Sequence, residues 1–189
     1  EQAYTLTLSL GGRDLHLDGV LQQAGSAEDG TALYAFYLGE AGGKDFVGNV
    51  RETYVHWKSL FDRMTPAERV AAGYPQNSDN SSVRNWLREN IYGGTWPTMP
   101  KDFLERNGLP DKTYYVQPFY EARTGGGDLE ANTIIFAKTE QGDGWFVGLV
   151  YDHEEKVWYR KKSGGFTINN TWAMVKAEIH SGAWEALDW

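Results

Sequence analysis

Four consecutive polar residues, Asp152-His153-Glu154-Glu155, are the densest group in this chain with the makings of a chemical site. A histidine beside carboxylates is a donor set for a divalent cation. No second histidine lies nearby, however, and the four residues fall between two strand-like stretches, where a charged hairpin turn is the simpler reading. A second run, Asn77-Ser78-Asp79-Asn80-Ser81, alternates oxygen ligands as a calcium loop does. It lacks the turn glycine and the closing bidentate glutamate, so it reads as a helix cap. The sequence therefore implies no metal and no cofactor.

Local signatures of enzymes are missing as well. There is no Gly-x-Ser-x-Gly, no His-Glu-x-x-His, no phosphate loop and no dinucleotide fingerprint. Gly125-Gly126-Gly127 joins two strand-like stretches, which makes it a turn, and His16, His56, His153 and His180 are scattered along the chain. The absence of cysteine excludes disulfides, thiolate nucleophiles and Cys-ligated zinc. What stands out instead is aromatic content: 14% of residues, with 8 Trp and 11 Tyr, more than a core of this size needs. Trp145 and Trp158 sit on neighbouring expected strands. Together with Tyr151, His153, Glu154 and Glu155 they are the expected partner-binding residues. Trp96 and Trp184, each following a helical pattern, read as core residues that close a helix onto the sheet.

Charge narrows the partner. With 26 acidic and 18 basic residues the formal charge is −8, which repels phosphate backbones and anionic lipid and favours a basic protein partner. Arg160-Lys161-Lys162 is too short for a nucleic-acid-binding stripe. No apolar run approaches the roughly 18 residues of a membrane span. The chain starts at Glu1 rather than Met, which favours an exported protein, periplasmic or extracellular, over a cytoplasmic one.

The elements that must position these residues follow from periodicity. Tyr4 to Leu10 alternates apolar and polar residues, Gly11-Gly12 turns the chain, Leu15 to Asp18 resumes the alternation, and 31–39 is a third strand. Thr113 to Ala122, Ala131 to Thr139, Gly144 to Tyr151 and Lys156 to Lys161 read as an antiparallel meander. Pro118 places the first of these at an edge or a bulge. Thr65-Pro66-Ala67-Glu68 is a capping box opening a helix that Gly73 stops. Ser81 and Ser82 are expected to cap a helix through Tyr92. Further helices are expected from Pro100 to Arg106 and from Thr171 to Gly182.

Residues 36–50 align without gaps on residues 136–150 with seven identities in fifteen, from Phe36 and Phe136 to Val50 and Val150. About one is expected from average composition. Ile91, Gly94 and Trp96 likewise resemble Ile179, Gly182 and Trp184. The alignment implies an internal duplication: residues 1–98 as one hairpin and helix unit with a helical insertion near 58–82, and 99–189 as a second, related by a pseudo-twofold within one globular body. It conflicts with another signal. Val47, Val50, Tyr54, Trp57, Phe61 and Met64 recur at helical spacing, yet the aligned second copy is a hairpin, so strands are expected to about Trp57 and a helical turn after it.

The sequence thus predicts an α+β fold, antiparallel sheet with a few covering helices. The expected function is a non-enzymatic protein-binding module, most concretely an exported inhibitor or immunity-type protein. The alternatives are a carbohydrate or cell-wall binding module using surface Trp and Tyr, and a hydrolase whose site is assembled across the fold.

Overall fold

Strict alternation at the start of the chain builds a meander of β1 (Gln2–Leu10), β2 (Arg13–Ser26) and β3 (Ala32–Leu38), an antiparallel sheet in the order β1-β2-β3. Gly11 and Gly12 have φ of +58° and +80° and close the first hairpin at the Leu10–Arg13 pair. That left-handed backbone suits glycine and matches the twist of the two strands. The computed structural model describes residues 2–38, 44–121, 127–141, 146–164, 166–167 and 171–189. It divides into two units, Glu1–Asn49, which holds this sheet, and Val50–Trp189.

The larger unit contains most of α1 (Lys44–Asp62), then α2 (Pro66–Ala71), α3 (Asn80–Asn90) and α4 (Lys101–Arg106). There follow β4 (Tyr115–Tyr120), β5 (Thr133–Lys138), β6 (Phe146–Val147), β7 (Leu149–Asp152), β8 (Val157–Lys161) and β9 (Phe166–Thr167), and the chain ends with α5 (Trp172–His180) and β10 (Trp184–Ala186). Five strands form an antiparallel sheet in the order β10-β8-β7-β5-β4, while β6 and β9 make a separate two-stranded pair. This is the expected α+β fold. Every residue of β5 is buried, as both faces of a central strand must be when each is covered.

Residues 46–57 correct the sequence expectation: they are helical, part of the 19-residue α1. The three-and-four spacing was the right signal, because it places Val50, Tyr54 and Phe61, each 1% exposed or less, on one buried face. The strand preference of Val, Thr and Tyr is weak beside that burial. The same helix bears on the duplication, which the structure does not confirm. Residues 36–50 hold the end of β3 and the start of α1, whereas 136–150 hold the end of β5, β6 and the start of β7.

The local caps agree with the sequence at three helices. Thr65 Oγ1 accepts from the Glu68 amide at 3.2 Å, with Pro66 at the first helical position. Thr171 Oγ1 accepts from Met174 N–H at 3.2 Å, and α4 ends before Asn107-Gly108. The cap of α3 is Asp79 rather than Ser81 or Ser82. Its carboxylate accepts from Ser82 N–H at 3.2 Å and from the Ser82 hydroxyl at 2.6 Å, which holds its pKa below the usual carboxylate range. A carboxylate can take both bonds at once, and a serine hydroxyl is the weaker acceptor.

Two hydrophobic clusters among the described residues of the larger unit bear on the site. Tyr54, Phe61, Val83, Leu87 and Trp96 form one, joined by the half-buried rings of Trp57, Tyr74 and Trp86. Ile134, Phe136, Val150, Trp172, Val175 and Trp184 form the other, which seats α5 on one face of the sheet. Trp96 and Trp184, at 2% and 4% exposed, therefore do close helices onto their surroundings, but in different cores. β10, for which the sequence carried no expectation, is too short for a periodic signal. It is held by pairing with β8 from Trp184 to Ala186.

β4 is an edge strand, as Pro118 required. Its outward positions are each occupied. Val116 N–H donates to Pro97 O at 2.7 Å, Pro118 has no N–H, and Tyr120 N–H donates to Asn80 Oδ1 at 3.2 Å. A strand with no outward donor left cannot template another chain along that edge.

Candidate functional site

The turn between β7 and β8 is built by Asp152. This carboxylate is 4% exposed and accepts from the amides of Glu154 at 2.9 Å and Glu155 at 3.1 Å. Lys156, at φ +59°, completes the turn with its N–H on Asp152 O at 2.7 Å. Asp152 is thus committed to the backbone, and no group of three or more His, Asp or Glu among the described residues is placed to hold a metal ion. Asp79 is likewise committed, to the cap of α3.

Of the six expected contact residues, the turn displays three. His153 is half-buried, and Glu154 and Glu155 are exposed. Tyr151 and Trp158 face each other across β7 and β8 with ring centroids 5.3 Å apart, but at 4% and 2% exposure they belong to the interior and offer no surface to a partner. Burying an indole is worth a few kcal/mol, and the sheet face provides the room. Trp145 lies outside the described residues.

Three residues that the sequence alone did not assign to the site join the turn. Trp172, at the start of α5, tilts 33° against the His153 ring with centroids 5.2 Å apart. Lys176 lies one helical turn further along, on the same side of α5. Its ammonium makes an ion pair with Glu154 and stands 6.0 Å from the centroid of the Trp172 ring. Arg51, on α1, is close enough for its charge to act on both His153 and Glu154. The charges of Glu130, Glu52, Asp128 and Glu154 act on it in turn.

The electrostatics follow from this geometry. Burial, and then the Arg51 charge, push the His153 imidazole below its ordinary pKa despite Glu154 and Asp152, so it is neutral at pH 7. The hydrogen bond from Lys176 holds the Glu154 carboxyl below its usual range, and the same bond raises Lys176. Burial lowers Arg51, with the four carboxylates opposing it. His153 Nδ1, Trp172 Nε1 and Arg51 Nε are all buried without a hydrogen-bond partner. Buried polar atoms are paired in the great majority of cases, and these three are exceptions, as Trp158 Nε1 is in β8.

The signal for Trp172 and Lys176 was present as an i, i+4 pair behind the Thr171 cap. Arg51 was hidden because its segment reads as strand when aligned with 136–150, which gives its side chain no common face with the second half of the chain.

Residues 72–174, more than half of the chain, match the family model described as the Pili PilJ C-terminal domain. The match takes in His153, Glu154 and Trp172 and stops short of Lys176. It is to a pilus domain and not to an inhibitor or immunity protein, so those concrete forms of the sequence expectation are set aside. No curated protein matches the chain.

Proposed function

Since this chain belongs to the Pili PilJ C-terminal domain family, we propose that it is a non-enzymatic protein-binding domain of a pilus protein, exported from the cell, whose partner surface is basic. The family match carries this reading, because a pilus is a protein assembly whose components act through contacts with other proteins. The formal charge of −8 supports a basic partner by long-range attraction. The exposed carboxylates of the β7–β8 turn, beside a buried aromatic pair, supply a local surface of the matching sign.

The test is fractionation of the native host with an antibody against this chain, followed by kinetics against the pilus components that co-purify. The chain is expected in the sheared pilus fraction. Its association rate with the bound component should fall as salt rises while dissociation changes little, since screening acts chiefly on approach. Confinement to the cytoplasmic fraction, or an association rate insensitive to salt, would overturn the corresponding part of the reading.

A further inference from the structure

Charges, prolines, bulges and short length are the devices by which sheets protect an edge strand from pairing with another chain. β1 has none of them. Its nine residues include no charged residue and no proline, and its register on β2 runs from Gln2 to Leu10 without a shift. Among the described residues it has a hydrogen-bonded neighbour, β2, on one side only. β4 is guarded by Pro118 and by its bonds to Pro97 and Asn80. β3, the other edge of the first sheet, is shorter and lies beside the register shift between Gln23 and Gly25, and such a bulge turns an edge away from flat pairing.

Exposure agrees with the open edge. Every residue from Tyr4 to Ser9 is exposed. Alternation sends Tyr4, Leu6 and Leu8, at 43%, 39% and 38% exposure, to one face of β1, and Thr5, Thr7 and Ser9 to the other.

An open ladder takes an extended strand, and the side chains decide which one. With no charge of its own, β1 offers nothing at close range to a charged strand and is complemented by an uncharged one. Its own sequence meets that need. Antiparallel pairing about a twofold axis through Leu6 sets Leu6, Tyr4 and Thr5 opposite the second copy's Leu6, Leu8 and Thr7, apolar against apolar on one face and hydroxyl against hydroxyl on the other. This is the one twofold register that uses the whole strand from Gln2 to Leu10. The area sets the strength. Such an edge, about 30 Å long and about 10 Å thick, covers about 300 Å² per copy, against about 800 Å² per partner in a standard interface. The contact is therefore a weak one that depends on concentration.

We propose that β1 pairs antiparallel with β1 of a second copy, about a twofold axis at Leu6, so that two three-stranded sheets join into one. This goes beyond the protein-binding reading above and does not rest on it. Salt separates the two. Copies with a formal charge of −8 repel each other, so screening should strengthen self-pairing, whereas it slows association with a basic partner.

Because the chain contains no cysteine, single introduced thiols report the register. Opposed residues of an antiparallel pair have Cα atoms about 4.5–5.5 Å apart, within the reach of a disulfide. Leu6→Cys is therefore expected to form a disulfide-linked dimer in a glutathione redox buffer. Leu8→Cys, at nearly the same exposure in the parent, would lie about 14 Å from its counterpart in this register, and should crosslink about tenfold more slowly or less. Leu6→Lys and Leu6→Glu should each abolish the dimer, and mixing the two should restore it. Sedimentation equilibrium of the parent between about 10 μM and about 1 mM should show a reversible dimer that strengthens with salt, and far-UV circular dichroism confirms that each variant is folded. A parent that stays monomeric throughout, equal crosslinking of the two thiols, or a dimer that weakens as salt rises would overturn the pairing. Capture of another protein by the Leu6→Cys thiol, with no dimer of the parent, would assign the edge to that protein and overturn it equally.

Discussion

Asn107 and Asp188, 81 positions apart, clamp each other through two hydrogen bonds. Asn107 Nδ2–H donates to Asp188 O at 2.7 Å, and Asp188 N–H donates to Asn107 Oδ1 at 2.7 Å. The same amide also donates to Phe103 O at 2.8 Å, and Trp189 packs against the Phe103 ring with centroids 4.9 Å apart. The end of the chain is thereby fastened to the end of α4. Asn107→Asp keeps the shape but turns a donor into a carboxylate oxygen facing two carbonyls. It is expected to cost on the order of 1–3 kcal/mol in urea unfolding and to free the last residues for faster amide exchange.

Asn80 performs two tasks with one oxygen, accepting from the Tyr54 hydroxyl at 2.7 Å and from Tyr120 N–H at 3.2 Å. Asn80→Ala leaves a hydroxyl on the fully buried Tyr54 without this partner and exposes an outward donor on β4, so destabilisation of about 1–3 kcal/mol is expected. Combined with Pro118→Val, which restores the second outward N–H, it should also convert β4 into a usable edge. Sedimentation should then show self-association of the double variant at concentrations where the parent is unassociated through this edge. A double variant that sediments like the parent would show that the edge needs no guard.

Arg69, 6% exposed, fastens the end of α1 to the loop after α2. Its guanidinium donates to Phe61 O at 2.6 Å, to Met64 O, and twice to Gln76 O at 2.9 and 2.7 Å. Phe61 O, in the last turn of α1, also accepts from Met64 N–H at 3.1 Å, so the guanidinium adds a second donor at that helix end. Lysine keeps the charge but not the planar fork, so Arg69→Lys should cost about 2 kcal/mol or more. An unfolding midpoint equal to that of the parent would show that the fork is dispensable.

His153 gives a pH dependence whose sign is set by its depressed pKa. The unfolded imidazole, with a pKa of about 6.5, binds a proton over a range where the folded one does not. The associated stability is therefore present above about pH 6.5 and is lost as pH falls toward the folded value, below which the loss is complete. His153→Phe keeps a ring against Trp172 and has no proton to bind. Its unfolding free energy should decline less between pH 7 and pH 5 than that of the parent, and parallel curves would mean that His153 does not titrate in this window.

Local features were legible from the residues alone. Alternation in Tyr4–Leu10, the Gly11-Gly12 turn, the caps at Thr65 and Thr171 and the edge position implied by Pro118 each depend on backbone geometry within a few residues, which a short stretch of chain encodes completely. The helical spacing from Val47 to Met64 was also legible. It was overruled by an alignment with residues 136–150 in which Phe46, Val47 and Val50 lie in a helix while the matching Phe146, Val147 and Val150 lie in strands, because the same apolar residues serve either period once a buried face is available.

The site was decided at the tertiary level. Whether a tryptophan binds or packs depends on what the sheet turns toward it, and only the register of β7 on β8 sends Tyr151 and Trp158 inward while leaving His153, Glu154 and Glu155 at the turn. His153 and Trp172 are some 20 residues apart along the chain, and no spacing rule links positions that meet only when a turn and α5 converge. The charge of each residue was written in the sequence, whereas the depressed pKa of His153, the pairing of Glu154 with Lys176 and the unpaired N–H groups arise from burial and proximity, which are properties of the packed chain.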